Sequence, residues 1–229
     1  MNSTTNSGNR DQRLVCVDAL RGFDMLWIIG GAEVLITLAK ATGIGFLSNI
    51  AVHFDHSWGQ FHFYDLIQPL FLFIVGVVMP ISFRKRIARG ETKKSIYAHV
   101  MKRVFILYIL GLISSGHLLT FDLMKIHLIT NVLHVIAFGY LVSSLMILEL
   151  NTKWQIGITI ALLFLYWAIM ALIRLPGHGA GIYEPETNLA LYIDNALLGH
   201  FQEGDGWTYI ITSINCIPSI MVGVFAGNI

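Results

Sequence analysis

Five stretches of the chain run 18 to 24 residues without a single charged side chain. They are Leu66–Phe83, Val104–Phe121, Ile126–Leu148, Trp154–Ile173 and Gly206–Ile229. A transmembrane helix needs roughly 20 mostly apolar residues to cross the hydrocarbon core of a bilayer. A water-soluble domain of this length seldom contains several such runs. The pattern therefore predicts a polytopic helical membrane protein.

A sixth, less uniform span precedes these five, from about Leu14 to Ala39, and it carries four charged residues. The other predicted spans have these approximate bounds: Phe61–Phe83, Tyr97–Phe121, Ile126–Leu148, Trp154–Ile173 and Gly206–Ile229. The expected fold class is all-α, a bundle of about six transmembrane helices. Residues 1–12 are polar, so we expect a disordered cytoplasmic tail there and a transmembrane domain over 13–229. The composition, 55% hydrophobic and 13% charged, agrees with this class.

The placement of lysine and arginine predicts the orientation of the chain. With the N-terminus in the cytoplasm, eleven of the 15 basic residues fall in inside segments, three fall outside, and Arg21 is left within the membrane. The densest basic run, Arg84–Lys94, then lies in the cytoplasm. The loops Lys40–Gln60 and Arg174–Asp205 lie on the outer face, which is the periplasm if the protein resides in a bacterial inner membrane.

Charged residues inside the first span are costly and therefore informative. Asp18 and Arg21 are spaced i, i+3, so they share a helix face and can form an ion pair. The alternative is that Arg21 contacts an anionic ligand, because its guanidinium is a fork of donors suited to phosphate. Glu33 follows the small residues Gly30–Ala32 near the outer part of the span. It is either a functional carboxylate or a side chain that reaches the outer interface.

The loop before the second span holds a polar and aromatic cluster around His56, with Asp55 before it and Trp58 two residues after it. A histidine beside a carboxylate can act as a general base, since its ordinary pKa of about 6.5 is close to neutral pH. Trp58 offers a flat apolar surface to a sugar ring. The alternative is a polar loop with interfacial aromatics. His53 and His62 raise the question of a metal site, but the spacing matches no metal motif, so no metal is expected.

Polar residues in the later spans are candidates for binding a substrate. Asp65 and Gln68 are one helical turn apart at the start of the second span and can build a polar recess at the membrane boundary. Asn131 shares a helix face with His134, and Asn215 lies in the sixth span. The alternatives are an aspartate favoured at a helix N-terminus, a hydrogen-bonded packing histidine, and a packing kink in the sixth span.

Four blocks, in order, resemble the heparan-α-glucosaminide N-acetyltransferase family of membrane acyltransferases. The blocks are Val17–Met25, Tyr64–Gly76, Asn131–Ala137 and Met221–Gly227. The resemblance implies an integral membrane enzyme that moves an acetyl group from acetyl-CoA to the amine of a terminal glucosamine. It places the family's key histidine at His56 and its aspartate at Asp65. The family histidine usually stands three residues before the tryptophan, whereas here His56 stands two before Trp58.

On this hypothesis His56 is the general base or carries the acetyl group itself, and Asp55 or Glu33 orients it. Arg21 is the cation for a phosphate of acetyl-CoA. The side chains expected to bind the acceptor are those of Trp58, Asp65, Gln68, Asn131 and Asn215.

The sequence also fits two other functions. One is a small transporter or sensor in which Asp18, Arg21, Glu33 and Asp65 form a polar pathway. The other is an inactive fragment, because family members have about ten or eleven spans and this chain resembles the N-terminal part of such a bundle. The expected partners are the lipid bilayer, a glycan acceptor, and either a second copy of the chain or a missing C-terminal half, with no nucleic acid.

The predicted topology can be tested by labelling with a membrane-impermeant thiol reagent. Gly90→Cys lies in the basic run and Gly204→Cys in the last long loop, so the two should be labelled from opposite faces. Labelling of both from the same face would contradict the six-span arrangement.

Overall fold

The computed structural model describes residues 4–54, 59–114, 132–199 and 210–228, and it is almost entirely helical there. The helices, in chain order, are α1 (Thr4–Leu26), α2 (Ala32–Thr42), α3 (Gly45–Ala51), α4 (Ile67–Ala88), α5 (Lys93–Ser114), α6 (Val132–Glu149), α7 (Thr152–Leu172), α8 (Leu189–Leu198) and α9 (Ile210–Gly227). A π-helical turn joins α1 to α2, and 3₁₀ turns at Val52–Phe54 and Phe63–Leu66 lead toward α4. The short strands β1 (Arg174–Leu175) and β2 (Gly179–Ala180) pair antiparallel, with Arg174 opposite Ala180.

Six helical segments of the described chain are long and apolar enough to cross a membrane, which confirms the predicted fold class. They are Val15–Thr42, Phe63–Ala88, Lys93–Ser114, Val132–Glu149, Thr152–Leu172 and Ile210–Gly227. Helices run past the apolar stretches at several ends; α4, for example, continues through Arg84–Arg86 to Ala88. Arginine and lysine are good helix formers, so a helix need not end where the hydrocarbon core does.

The helix α1 begins at Thr4, inside the segment 1–12 that the sequence predicts as a disordered tail. Its first turns therefore precede the apolar span, which begins at Val15. The disordered tail over residues 1–12 stays a prediction.

The chain divides into two compact units, residues 1–74 and residues 75–229, with the division inside α4. In the first unit, α2 packs against α3, and the π-helical turn Trp27–Gly31 links α1 with α2. In the second unit, α9 lies between α6 and α7, and α5 packs on the other side of α6. The core of this unit is centred on α9, where Ile220, Met221 and Val224 are completely buried.

Small residues allow the helices of the second unit to approach closely, as is typical of membrane proteins. A Cβ atom at Gly76 would overlap the carbonyl oxygen of Ile220, and one at Gly227 would overlap that of Val77. A Cβ atom at Gly111 would come 2.6 Å from Nε2 of His134. The contacts of Gly76 and Gly227 hold the second half of α4 against α9.

Charged side chains collect at one end of the second unit. Arg84, near the end of α4, donates to the side chain of Asn228 just after α9. Lys93 and Tyr97, at the start of α5, both donate to Glu149 at the end of α6. These pairs show that α4, α6 and α9 end at the level where α5 begins, as alternating membrane crossings require. The side of the membrane on which this end lies stays a prediction.

An ion pair closes the turn between α4 and α5 at this charged end. Arg86 Nη1 lies 3.0 Å from Glu91 Oε2, and both side chains are three-quarters buried. Burial alone would raise the pKa of the Glu91 carboxyl, but hydrogen bonds from Arg86 and Ser95 and the charge of Arg89 bring that pKa below its ordinary value. The turn is therefore held by a charged network rather than by apolar packing.

The close contact between α4 and α9 can be tested with a single methyl group. Gly76→Ala should lower the free energy of unfolding by roughly 1–3 kcal/mol, because backbone atoms of α9 already occupy the position of the added Cβ atom. Gly157→Ala on α7 is the matched control, since no atom lies within 4 Å of its Cβ position. Alanine is the better helix former, so this control should melt at the same temperature as the wild type or higher. Equal melting temperatures for the two variants in detergent would contradict the packing described.

Candidate functional site

Four aromatic side chains of the first unit form a layer, and we call Phe23, Trp27, Phe54 and Phe63 the aromatic layer. The ring centroids of Trp27 and Phe54 are 4.4 Å apart, and those of Phe54 and Phe63 are 5.3 Å apart. Phe23 meets the rings of Trp27 and Phe63 edge-on at 5.9 and 6.4 Å. The layer therefore joins the end of α1 to the two 3₁₀ turns that precede α4.

Two glycines shape the chain just after Trp27. Gly30 has a φ of 141°, a conformation that side chains bearing a Cβ atom rarely adopt, and it kinks the helix between α1 and α2. A Cβ atom at Gly31 would come 2.7 Å from the carbonyl oxygen of Leu26 and 3.2 Å from the ring of Trp27. The π-helical turn makes room for the indole of Trp27 within the aromatic layer.

Asp24 lies between two members of the aromatic layer in sequence, and it is completely buried. Among the described residues, neither of its carboxylate oxygens has a hydrogen-bond partner, and the buried Nε1 of Trp27 has none either. Asp24 lies in the last turn of α1 and Trp27 directly follows this helix. The two residues are spaced i, i+3, one helical turn apart. An unpaired buried carboxylate costs several kcal/mol, so such a group calls for a partner or a proton.

A capping arrangement fixes the entry of the chain into α4. The carboxylate oxygen Oδ2 of Asp65 accepts a hydrogen bond of 2.8 Å from the backbone N–H of His62, as part of a capping box. His62 is buried, and its ring centroid is 6.2 Å from that of His53. Asp65 therefore holds the backbone beside the aromatic layer.

Two apolar grooves border the aromatic layer. One, of about 290 Å³, runs from Phe23 and Phe63 along the start of α4 to Phe73. The other, of about 580 Å³, follows α2 from Trp27 to Leu38. Both are lined by aliphatic and aromatic side chains, which suits lipid or the apolar face of a ligand.

A family comparison decides what kind of protein carries this layer. Residues 13–192 match the model of the catalytic region of heparan-alpha-glucosaminide N-acetyltransferase. The chain belongs to this family. Together with the six apolar helices, membership makes it an integral membrane protein of an acetyltransferase family. No curated protein sequence matches the chain.

The residues that the family resemblance selects before α4 lie partly outside the described structure. Asp55, His56 and Trp58 belong to residues 55–58, and Asn131 belongs to residues 115–131, so all four lie outside the described residues. Phe54 of the aromatic layer immediately precedes the first of these segments. The catalytic role of His56 stays a prediction.

The other predicted site residues are described, and each has a definite environment. Arg21 and Asp18 form the expected i, i+3 ion pair at 3.8 Å, with both side chains more than half exposed. Glu33 is exposed on α2, and Gln68 is half-buried in the first turn of α4. Asn215 is half-buried on α9, in the second unit. Among the described residues of the first unit, the ion-pair partner of Arg21 is Asp18 and not Glu33.

His134 behaves as a packing residue rather than a ligand in the described structure. It is buried on α6, and its Nε2 lies 3.1 Å from the carbonyl oxygen of Tyr108 on α5. Its ring packs 4.7 Å from that of Tyr108, over the gap left by Gly111. Across the described residues, no three histidine, cysteine or acidic side chains lie close enough to hold a metal ion.

Two carboxylates are buried in the structure although the sequence pattern does not predict their burial. Asp24 is one of the four charged residues of the first predicted span, and among the described residues its buried carboxylate has no hydrogen-bond partner. Asp194 falls within the predicted outer loop Arg174–Asp205, yet it is completely buried on α8, and its Oδ1 accepts a hydrogen bond of 3.2 Å from the first N–H of α9. The available signal was its spacing, because Asp194 stands four residues after Ala190, on the apolar face of a short amphipathic helix.

The capping role of Asp65 can be separated from a role in substrate binding. Asp65→Ala should lower the free energy of unfolding by about 0.5–2 kcal/mol, because the backbone N–H of His62 loses its acceptor. Asp18→Ala is the control, since its exposed ion pair contributes little. Thermal unfolding in detergent measures both variants. A melting temperature for Asp65→Ala equal to that of the control would contradict the capping role of Asp65.

Proposed function

We propose that this protein transfers an acetyl group from acetyl-CoA to the amine of a glucosamine-type sugar at the outer face of a bacterial inner membrane. The observation that carries the proposal is the match of residues 13–192 to the catalytic model of the family. The matched region includes the whole stretch from His53 to Asp65. The aromatic layer supports the proposal, because it assembles around the residues that flank His56 on both sides.

His56 supplies the proton chemistry in this proposal. As the amine nitrogen attacks the thioester carbon, it must lose a proton, and the departing thiolate must gain one. An imidazole can accept the first proton and donate the second, since its ordinary pKa lies near neutral pH. In the covalent variant, the imidazole nitrogen takes the acetyl group first and passes it to the amine in a second step. Asp55 or Glu33 orients the ring in either case.

Arg21 is the proposed contact for a phosphate of acetyl-CoA. Its guanidinium is more than half exposed and lies 3.8 Å from Asp18, longer than a hydrogen bond. The five N–H donors of the guanidinium fit a phosphate well. Arg21 thus suits the phosphate groups of the donor.

The acceptor is proposed to bind beside the start of α4, where Trp58 would stack on the sugar ring and Gln68 would bind one of its hydroxyl groups. The roles of Asn131 and Asn215 stay predictions from the sequence. Asp65 already accepts one hydrogen bond from His62. Its second carboxylate oxygen, with further acceptor capacity, is the part proposed to receive a sugar hydroxyl.

His56→Ala tests the proposal in purified protein reconstituted into lipid nanodiscs. Loss of a general base should lower the rate of acetyl transfer to glucosamine by about 10²- to 10⁴-fold. His178→Ala is the matched control, because His178 is an exposed histidine of the β1–β2 turn and has no role in the site. The measured quantity is N-acetylglucosamine formed per unit time.

If the His56→Ala variant is folded, inserted and as active as the control, His56 takes no part in the chemistry. Wild-type protein that transfers no acetyl group to any amino sugar would overturn the proposed function itself.

A further inference from the structure

Polar atoms that are buried and lack a partner are few in the described part of the chain. They belong to the side chains of Asp24, Trp27 and Ser143. Ser143 carries one neutral hydroxyl, in the second unit. Asp24 and Trp27 are different, because a carboxylate with both oxygens unpaired stands one helical turn from an unpaired indole N–H. Among the described residues of the first unit, Asp24 and Trp27 are the two whose buried side-chain polar atoms lack a partner.

The chemistry of the pair restricts what can satisfy it. A buried carboxylate is compensated best by a positive charge that also donates hydrogen bonds, whereas a neutral hydroxyl leaves the charge uncompensated. The Nε1–H of Trp27 is a donor only, so it needs an acceptor and cannot ligate a metal ion. A ligand that satisfies both therefore carries an ammonium group and an oxygen acceptor close to each other. An amino sugar has this combination, because its amine is flanked by hydroxyl oxygens.

We propose that Asp24 and Trp27 form a recognition site for the amino-alcohol unit of the acceptor sugar. The ammonium group donates to the Asp24 carboxylate, and a neighbouring hydroxyl oxygen accepts from Trp27 Nε1. This inference rests on the proposed function, since it names the part of that acceptor which the first unit recognises. It makes Asp24 a specificity residue that separates amino sugars from neutral sugars.

The surroundings of the pair fit this role. Trp27 is itself a member of the aromatic layer, and Asp24 directly follows another member, Phe23. The flat rings of the layer suit the apolar faces of a sugar. Trp27 also borders the groove of about 580 Å³ along α2. Because the pair is enclosed, a ligand needs a local opening to reach it. The kink at Gly30, three residues beyond Trp27, interrupts the helix beside the pair, and we place the opening there.

Two substitutions separate the two contacts. Asp24→Asn removes the charge with little change of shape, and Trp27→Phe removes the N–H while it keeps an aromatic ring in the layer. Asp18→Asn is the matched control, because it makes the same chemical change on the same helix at an exposed position. No folded-state partner of Asp24 is lost, so Asp24→Asn should melt at the wild-type temperature or higher.

The test is equilibrium dialysis of radiolabelled glucosamine and glucose against nanodisc-embedded protein. Wild type and Asp18→Asn should bind glucosamine more tightly than glucose. Asp24→Asn should weaken glucosamine binding by roughly 10- to 100-fold and abolish the preference, because a charge-assisted hydrogen bond is lost. Trp27→Phe should weaken both sugars by about 3- to 10-fold, since each has a hydroxyl oxygen for the indole N–H.

The outcomes separate this inference from the proposed function. Acetyl transfer by the wild type, with glucosamine affinity unchanged in Asp24→Asn, would leave the function standing and overturn the site. Asp24-dependent glucosamine binding without acetyl transfer would support the site and overturn the enzyme. Equal binding of glucosamine and glucose by the wild type, or binding of neither, would also overturn the site.

Discussion

Inside a bilayer, a polar group that lacks a protein partner cannot obtain one from water. Most buried polar side chains of the described chain obey this constraint through the backbone. Gln155 donates to the carbonyl oxygens of Met146 and Leu150 at the end of α6, and so ties α7 to α6. Ser144 donates to the carbonyl oxygen of Tyr140 one turn earlier. Asp194 accepts from the first N–H of α9. Against this background the unpaired carboxylate of Asp24 stands out.

The same constraint explains why the helices could be predicted from the sequence, whereas their packing and the burial of some polar side chains could not. Five apolar runs have one stable solution in lipid, so α4, α5, α6, α7 and α9 follow from hydropathy and length alone. The close approach of α4 to α9 does not, because Gly76 meets Ile220 across a large separation in sequence. Burial of Asp24 and Asp194 likewise depends on tertiary packing, although the helical position of Asp194 carries a signal for it.

The candidate site was predictable to a similar degree. The sequence selects the loop before the second span, and the structure assembles the aromatic layer from residues on both sides of it. The roles of Asp65 and Trp27 were harder to foresee. A carboxylate at the start of a helix serves equally as a cap or as a ligand, and only the 2.8 Å contact with His62 identifies the cap. The indole of Trp27 acquires its position from the kink at Gly30, which no local pattern specifies.

The family assignment makes the chain a member of an acetyltransferase family, and the central proposal is that this membrane bundle passes an acetyl group to an amino sugar. The most direct measurement is mass spectrometry of the product formed when the purified chain in nanodiscs meets glucosamine and acetyl-CoA whose acetyl carbons are isotopically labelled. The account predicts N-acetylglucosamine that carries the label, formed only in the presence of the protein. Glucosamine recovered without the label, from protein shown to be folded and inserted, would contradict it.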